Sequence, residues 1–278
     1  MQIKQNESLK EHTTFRMGGN AIRYVIPENL NELVSACNSE ENIKFIGGGS
    51  NILIAEHEYE IVIDLGKFDT SIQRLEDGKY RVGASVRLQN LINSINKDEN
   101  GGIEYLFSVP GLVGGAVTMN AGRGRKYNKC ISDYIVSVDA LVDGSIKTFI
   151  KEECGFGYRN SIFKNSNMIV VAVVFDFPKV SVSESEKLKK ERIELCKENQ
   201  DNSLPNFGSV FMEYDFKIMN FVKKISLRSG GCHFSRKTSN WLLNDGGNYK
   251  KALKCIKRVE LLHKIFRRKC KREVIIWE

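Results

Sequence analysis

Short apolar runs alternate with polar, helix-forming stretches along the first half of this 278-residue chain. Runs of apolar residues bounded by glycine, proline or polar residues predict strands, whereas apolar positions recurring every three or four residues predict helices. The pattern predicts strands at 21–26, 44–46, 61–65, 80–82 and 168–177 and helices at 30–38 and 85–97. The last of these strands is rich in valine, which is typical of a strand buried on both faces.

The second half of the chain contains a long charged stretch. Pro178 ends the strong strand, and the charged residues 183–199 predict a helix that serves as a spacer. A turn-rich segment at 202–207 then opens a C-terminal part with a helix at 216–225 and a final strand at 273–277. Strands and helices are therefore mixed in both halves.

This order of elements predicts an α+β protein without internal repeats. We expect a ligand-binding first domain at 1–178, made of two lobes at about 1–64 and 65–178. A connecting helix at 179–200 leads to a smaller C-terminal domain at 201–278.

Composition narrows the class of protein. Hydrophobic residues make up 41% of the chain and charged residues 27%, as in ordinary soluble proteins. The longest apolar run, at 168–175, is far shorter than the ~20 residues that cross a bilayer, and the polar N-terminus shows no secretory signal. The seven cysteines are scattered, without paired spacing, which favours reduced thiols in a cytoplasmic protein and no metal site. We expect neither membrane nor nucleic-acid binding.

The net charge of +8 has a local origin. Residues 251–272 contain ten lysines or arginines and one acid, with apolar residues at the spacing of an amphipathic helix: Ala252, Ile256, Val259, Leu262 and Phe266. One interpretation is a core-facing helix with a solvated basic face. The alternative is electrostatic steering of an anionic ligand. No stacking motif, Cys/His finger or heptad zipper accompanies the basic stretch, so a nucleic-acid module is not indicated.

A glycine-rich run follows the predicted strand at 44–46. It consists of Gly47, Gly48, Gly49, Ser50 and Asn51. Glycines let backbone N–H groups come close to a phosphate, and the two polar side chains can add hydrogen bonds. By itself the run is also compatible with an ordinary turn, and it matches neither the Rossmann fingerprint nor a Walker A motif.

A second run, at 109–122, is equally rich in glycine. Two close backbone approaches to one extended ligand explain both runs better than two unrelated turns do. The residues of this run that we assign to the ligand are Pro110, Gly111, Gly114, Gly115, Asn120, Ala121 and Gly122.

With these runs the chain resembles the UDP-N-acetylenolpyruvoylglucosamine reductase family, in its shorter class. The matching stretches, in the family's order, are 13–21, 47–53, 110–122, 157–164, 208–211 and 273–274. The resemblance implies a vanillyl-alcohol-oxidase/PCMH-type FAD-binding domain followed by a substrate domain. It also implies FAD as cofactor, NADPH as reductant and a UDP-linked enolpyruvyl sugar as substrate, in a monomer.

The resemblance also implies roles for individual residues. Arg159 would stabilise the enolate-like charge that follows hydride transfer, Ser209 would donate the proton, and Glu273 would be the second polar group beside the enolate. Serine is a poor acid in water, so its role requires a site that lowers its pKa or relays the proton. The substrate-binding residues implied are Tyr158, Lys217 and Arg228.

Two positions of the C-terminal part depart from the family's pattern. Glu213 stands where the family has an asparagine, and Thr238 where it has histidine or glutamine. A carboxylate near a diphosphate would repel it. A related flavin reductase with another enoyl substrate therefore remains an alternative, as does a non-catalytic FAD-binding module. A basic nucleic-acid-binding protein is a distant further alternative.

Overall fold

The computed structural model describes residues 1–38, 42–123 and 129–278. Two compact units make up the chain. Unit 1 comprises residues 1–4, 24–48 and 61–196, and unit 2 comprises residues 5–23, 49–60 and 197–278.

The strands are short and occur along the whole chain. Their bounds are β1 Gln2–Ser8, β2 Asn20–Ile26, β3 Ile43–Ile46, β4 Ile52–Ile54, β5 Glu58–Asp64, β6 Ile72–Glu76, β7 Lys79–Gly83, β8 Gly122–Arg123, β9 Lys129–Cys130, β10 Ile135–Val142, β11 Ser145–Ile150, β12 Ile169–Asp176, β13 Asn206–Ser209, β14 Phe211–Glu213, β15 Arg228–Ser229, β16 Cys232–Phe234, β17 Trp241–Asn244, β18 Lys271–Arg272 and β19 Ile275–Trp277.

The α-helices lie between these strands. Their bounds are α1 Leu30–Asn38, α2 Leu88–Lys97, α3 Val113–Thr118, α4 Val182–Asn199, α5 Phe216–Ile225 and α6 Tyr249–Ile265.

The main sheet of unit 1 has the strand order β11-β10-β12-β7-β6, with antiparallel neighbours throughout. The central strand, β12, is buried at each residue from Ile169 to Val173. Successive residues of a strand point to opposite faces of the sheet, so this continuous burial means that both faces of β12 are covered. Helix α3 packs against β12. The valine-rich strand predicted at 168–177 is confirmed.

A second sheet of four strands has the order β1-β2-β5-β3. Within unit 1, β3 runs parallel to the second half of β5, with Ile43 opposite Ile61 and Ile46 opposite Asp64. The amide of Leu65 donates to the carbonyl oxygen of Ile46 at 2.7 Å, so the pairing continues to the end of β3. The first glycine run therefore leaves a strand that is hydrogen-bonded up to its last residue.

Unit 2 contains a sheet with the order β13-β17-β16-β15, and helix α6 packs against β15 and β16. Its core includes Phe15, Phe207, Phe211 and Phe234, which are almost fully buried. Two further strand pairs belong to this unit: β19 with β4, in parallel, and β14 with β18, antiparallel.

The α+β class and the helices and strands predicted from the pattern are confirmed, with corrections of bounds. Strand β5 begins at Glu58 rather than at 61. Helix α2 begins at Leu88 rather than at 85, because the amide and hydroxyl of Ser85 are hydrogen-bonded to the carbonyl oxygens of Asp69 and Leu65. The final strand begins at Ile275 rather than at 273.

A further correction concerns the basic stretch at 251–272, where helix α6 ends at Ile265. Arg267 is left-handed, with φ 51°, and its amide donates to the carbonyl oxygen of Lys264, which closes the helix. Phe266, which the pattern assigned to the core face, is therefore 63% exposed.

Helix α6 has the buried apolar face and the exposed basic face of the first interpretation, and electrostatic steering by that basic face stays an alternative. Ala252, Ile256 and Val259 are buried, while Lys254 and Lys257 are exposed.

The predicted domain boundaries at 178 and 201 separate a cofactor-binding domain from a substrate-binding domain, and this division stays a prediction. The compact units follow another partition, in which residues 5–23 and 49–60 belong with 197–278. In the described part of the chain, no helix has the length and apolar character that a membrane span needs. No group of three or more His, Cys, Asp or Glu side chains lies close enough to hold a metal ion within those same residues.

Candidate functional site

The two glycine runs come together within unit 1. A Cβ atom added at Gly48 would lie 3.3 Å from the Cα of Gly111, and one added at Gly47 would lie 3.6 Å from Cδ1 of Leu112. The first distance is tighter than an ordinary contact, so the two backbones approach closely because neither residue has a side chain. The two runs are therefore neighbours at Gly47, Gly48 and Gly111, and their contact with one common ligand stays a prediction.

Gly49 continues the first run into unit 2 and has a different constraint. Its φ is +58°, and an added Cβ would lie 1.9 Å from the carbonyl oxygen of His12. Its own carbonyl oxygen accepts a hydrogen bond of 3.0 Å from the amide of Thr14. Only glycine fits this position, because any Cβ would collide with backbone that is itself held in place.

The second run is fixed by backbone hydrogen bonds before it enters α3. The amide of Leu88 donates to the carbonyl oxygen of Gly111 at 3.1 Å, and the amide of Gly114 donates to that of Ala84 at 2.9 Å. A Cβ at Gly114 would lie 2.9 Å from the Cβ of Ala84, so Gly114 serves packing. By contrast, a Cβ at Gly115 would meet nothing within 4 Å. Gly115 is the glycine of α3 with open space beside it.

Gln89 also holds this run, although the sequence did not single it out. Its side-chain amide donates to the carbonyl oxygens of Phe107 at 3.0 Å and of Val109 at 2.8 Å. These bonds fix the chain directly before Pro110. A polar residue in the first turn of an amphipathic helix gives no sequence signal for such a role.

The end of the second run is bound to the segment that carries Arg159. Asn120 is buried and left-handed, with φ 43°. Its side chain donates to the carbonyl oxygen of Gly157 at 2.9 Å and accepts from the amide of Ser132 at 3.3 Å. The hydroxyl of Ser161 donates to the carbonyl oxygen of Thr118 at 2.7 Å. Asn120 therefore has a structural role here in addition to any contact with a ligand.

The Arg159 guanidinium lies on the backbone of the same run. It donates to the carbonyl oxygen of Gly122 at 2.8 Å and to that of Asn120 at 3.5 Å. The guanidinium carbon lies 5.4 Å from the centre of the Tyr158 ring. The residue is left-handed, with φ 55°, and its carbonyl oxygen accepts from Nζ of Lys164. A cation held by two carbonyl oxygens is pre-positioned, which is what the stabilisation of a developing negative charge requires.

In unit 2, three predicted site residues from distant parts of the sequence are brought together. The amide of Glu273 donates to the carbonyl oxygen of Val210, the residue after Ser209, at 2.8 Å. The carbonyl oxygen of Glu273 accepts from the side-chain amide of Asn51 at 3.2 Å. The amide of Ile275 donates to the carbonyl oxygen of Asn51 at 3.0 Å. Asn51, Ser209 and Glu273 are therefore neighbours through the backbone at 210 and 273.

Lys217 and Arg228 are exposed on other elements of unit 2. Lys217 lies in the first turn of α5, where Asp215 caps the helix by accepting from the amides of Lys217 at 2.9 Å and Ile218 at 3.1 Å. Arg228 lies in β15, and its carbonyl oxygen accepts from the guanidinium of Arg258. Their assignment to the substrate stays a prediction.

The two departures from the family's pattern lie in different parts of unit 2. Glu213 lies opposite Lys271 across the β14–β18 pair, where opposite charges are favourable. The hydroxyl of Thr238 donates to the carbonyl oxygen of Asn199 and accepts from the amide of Asp201, both at 2.7 Å. Thr238 thus fixes the chain where α4 ends.

These features fit a bound FAD. The close approach of Gly48 to Gly111 and the open space at Gly115 leave backbone accessible where side chains would otherwise stand. Glycine-rich backbone of this kind suits a pyrophosphate, because its N–H groups can reach the phosphate oxygens. The fit concerns the residues of unit 1; Ser50 and Asn51 belong to unit 2.

Comparisons with known proteins agree with this fit. Residues 22–149 match a family model described as an FAD binding domain. The chain is 32% identical to the UDP-N-acetylenolpyruvoylglucosamine reductase of Fervidobacterium nodosum, with 98% of this chain and 91% of that protein covered. It is also 32% identical to the enzyme of the same name from Carboxydothermus hydrogenoformans, with 88% and 83% covered.

The fold agrees as well. The crystal structure of UDP-N-acetylenolpyruvylglucosamine reductase from Thermus caldophilus superimposes with a TM-score of 0.80 at 24% identity, covering 100% of this chain and 98% of that one. The FAD-binding fold implied by the sequence is confirmed. At 32% identity over almost its whole length, the chain belongs to the UDP-N-acetylenolpyruvoylglucosamine reductase family.

Proposed function

We propose that this protein is an FAD-dependent, NADPH-using reductase. Its substrate would be the enolpyruvyl ether of UDP-N-acetylglucosamine and its product UDP-N-acetylmuramate, for peptidoglycan synthesis. The observation that carries the proposal is the joined pair of glycine runs in a chain that matches the named reductases over nearly its full length. We also propose that it works as a cytoplasmic monomer.

The FAD would be held by the runs 47–51 and 110–122, in which Gly48 and Gly111 meet and Gly115 is open. When bound, FAD supplies a redox centre that accepts a hydride from NADPH and passes one to the enolpyruvyl methylene carbon. The chain's own residues then have two tasks: to stabilise the charge that develops beside the substrate carboxylate and to deliver a proton.

Arg159 is suited to the first task. Its guanidinium is held in one place by the carbonyl oxygens of Gly122 and Asn120. Such a cation stabilises an enolate-like charge without having to reorganise during the reaction.

Ser209 is assigned to the second task. It ends β13, and no group of the described residues is hydrogen-bonded to its hydroxyl. The amide of Glu273 donates a hydrogen bond to the carbonyl oxygen of Val210, the residue that follows Ser209. A carboxylate beside the reacting carbon would orient the proton donor or relay the proton.

The substrate itself would contact Tyr158, Lys217 and Arg228. Tyr158 lies beside the Arg159 guanidinium, and the two exposed cations suit a diphosphate. Thr238, one of the two departures from the family's pattern, is engaged in hydrogen bonds within unit 2, so its difference from the family has a structural explanation that does not require another substrate.

The test is anaerobic mixing of the purified, flavin-loaded protein with NADPH and then with the UDP-enolpyruvyl sugar, following visible flavin absorbance. We expect bleaching in the first step and recovery in the second. Bleaching without recovery would contradict the proposed substrate and favour another enoyl compound. A colourless protein that does not take up added FAD would contradict every hypothesis in which the protein uses a flavin.

A further inference from the structure

Asn240 is a buried residue of unit 2 that the family motifs described above do not include. It directly precedes β17 and is 4% exposed. Its φ is 68°, in the left-handed region that asparagine tolerates better than most residues with a side chain. A buried polar side chain in an uncommon backbone conformation needs a reason in the surrounding structure.

Asn240 is hydrogen-bonded to the chain directly after Ser209. Its side-chain Nδ2 donates to the carbonyl oxygen of Phe211 at 2.8 Å, and its Oδ1 accepts from the amide of Phe211 at 2.9 Å. Its backbone carbonyl oxygen accepts from the amide of Val210 at 2.9 Å. The side-chain amide thus satisfies both backbone groups of one buried residue.

The opposite side of the same segment is bound to Glu273. The carbonyl oxygen of Val210 accepts from the amide of Glu273 at 2.8 Å and from that of Val274 at 3.3 Å. Val210 and Phe211 therefore lie between Asn240 and the residue assigned beside the proton donor. Asn240 fixes the backbone that joins Ser209 to Glu273.

The chain before Ser209 belongs to β13, which pairs with β17 so that Asn206 lies opposite Leu243 and Ser209 opposite Trp241. Gly208 is left-handed, with φ +76°, and a Cβ there would meet nothing within 4 Å. The amide of Gly208 is bonded only two residues back, to the side chain of Asn206. The backbone of Ser209 is therefore held on two sides. It pairs with Trp241 of β17, and Asn240, which directly precedes Trp241, bonds the two residues that follow Ser209.

We propose that Asn240 is a positioning residue for protonation: it holds Ser209 in register with Glu273. The inference rests on the proposed function, because it presumes that Ser209 donates the proton. A weak acid depends strongly on alignment, and a misplacement of about 1 Å can cost about 100-fold in rate.

The same strand offers a matched control. Asn244 lies at the other end of β17 and is 7% exposed. Its side chain donates to the carbonyl oxygen of Phe15 at 2.8 Å and accepts from the amide of Gly247 at 2.9 Å. It is thus a buried asparagine that joins two segments by similar bonds, away from the backbone at 209–211 and 273.

The experiment compares Asn240→Gly and Asn244→Ala with the parent protein in the two anaerobic half-reactions. Glycine at 240 keeps the left-handed backbone and its carbonyl bond while removing the side chain. We expect Asn240→Gly to be reduced by NADPH within about twofold of the parent rate. Its reoxidation by saturating UDP-enolpyruvyl sugar should be slower by about 10- to 100-fold. Asn244→Ala should lower the melting temperature and leave reoxidation within about twofold.

A second variant, Asn240→Asp, adds a readout that a purely structural role would not give. A neutral carboxyl group can replace the amide in both bonds to Phe211, whereas a carboxylate cannot donate to its carbonyl oxygen. The reoxidation rate of Asn240→Asp, divided by the parent rate at the same pH, should rise as the pH falls.

The outcomes separate the two proposals. The role of Asn240 would be overturned if reoxidation slowed equally in Asn240→Gly and Asn244→Ala. It would also be overturned if Asn240→Gly were reoxidised at the parent rate. Both outcomes would leave the proposed function intact. If Asn240→Gly does not fold, a pH-independent rate ratio for Asn240→Asp would overturn the role of Asn240 instead. A parent protein that the sugar does not reoxidise would overturn the function and, with it, the role of Asn240.

Discussion

The glycine-rich part of unit 1 and the Ser209 segment of unit 2 are built on different principles. In the first, Gly48 meets Gly111 because side chains are absent. In the second, the backbone at 210 and 211 is held by hydrogen bonds from Asn240 and Glu273, which lie far away in sequence. The cofactor region therefore depends on the absence of side chains at its glycines. The proton-donor region depends on hydrogen bonds between segments that are distant in sequence.

The largest effect should come from Gly49, where the same steric principle continues into unit 2. Gly49→Ala would place a Cβ 1.9 Å from the carbonyl oxygen of His12 in a left-handed backbone. We expect a protein that does not fold into a flavin-loaded form. The measurement is the ratio of visible flavin absorbance to protein absorbance in the soluble fraction.

The control for Gly49→Ala is Gly246→Ala. Gly246 is also left-handed, with φ +72°, but a Cβ there would meet nothing within 4 Å. This variant should keep its flavin and lose only about 1–2 kcal/mol of unfolding free energy. If both variants keep their flavin equally well, the collision at His12 is not decisive.

The next effect tests the proton donor. Ser209→Ala should leave the reduction of FAD by NADPH unchanged, because no proton from Ser209 enters that step. Reoxidation by the UDP-enolpyruvyl sugar should slow by about 10²- to 10⁴-fold, the usual contribution of a general acid. Stopped-flow absorbance separates the two steps, and equal loss in both would contradict the assignment.

A smaller effect is expected at Thr238, outside both regions. Thr238→Val removes the hydroxyl that bonds the carbonyl oxygen of Asn199 and the amide of Asp201. The free energy of unfolding in urea should fall by about 1 kcal/mol, the usual value of a hydrogen bond. Both half-reactions should stay within about twofold of the parent, which corresponds to about 0.4 kcal/mol. A raised KM for the sugar would instead show that Thr238 touches substrate.

The smallest effect concerns the cap of α5. Hydrogen bonds from the amides of Ile218 and Lys217 hold the pKa of the Asp215 carboxyl below its usual range, against opposing desolvation. A carboxyl whose pKa is lowered on folding stabilises the protein above its unfolded pKa and loses that contribution as the pH falls through the folded value. Asp215→Asn keeps a capping side chain without the charge. The difference in unfolding free energy between parent and variant should therefore shrink as the pH falls below 3.8, the ordinary pKa of an aspartate carboxyl. Urea unfolding at several pH values measures this difference.

Much of the molecule was determined by the sequence alone. The valine-rich run predicted β12 within one residue at each end, and α1 and α5 have the predicted bounds. Local patterns suffice there, because burial on both faces or on one helical face is recorded in consecutive residues. The glycine runs were also recognisable, since a close approach of backbone demands a particular residue type.

The remainder was decided by tertiary structure. The end of α6 at Ile265 depends on a left-handed Arg267, which hydrophobic spacing does not reveal. Glu273 is hydrogen-bonded to Val210 and Asn51, and Asn240 is hydrogen-bonded to both backbone groups of Phe211. These bonds join segments that lie far apart in the sequence. Hydrogen bonds between distant backbone groups leave little trace in the local sequence, because almost any residue can offer its amide and carbonyl. The sequence therefore determined which residue types are present, and the fold decided which of them meet.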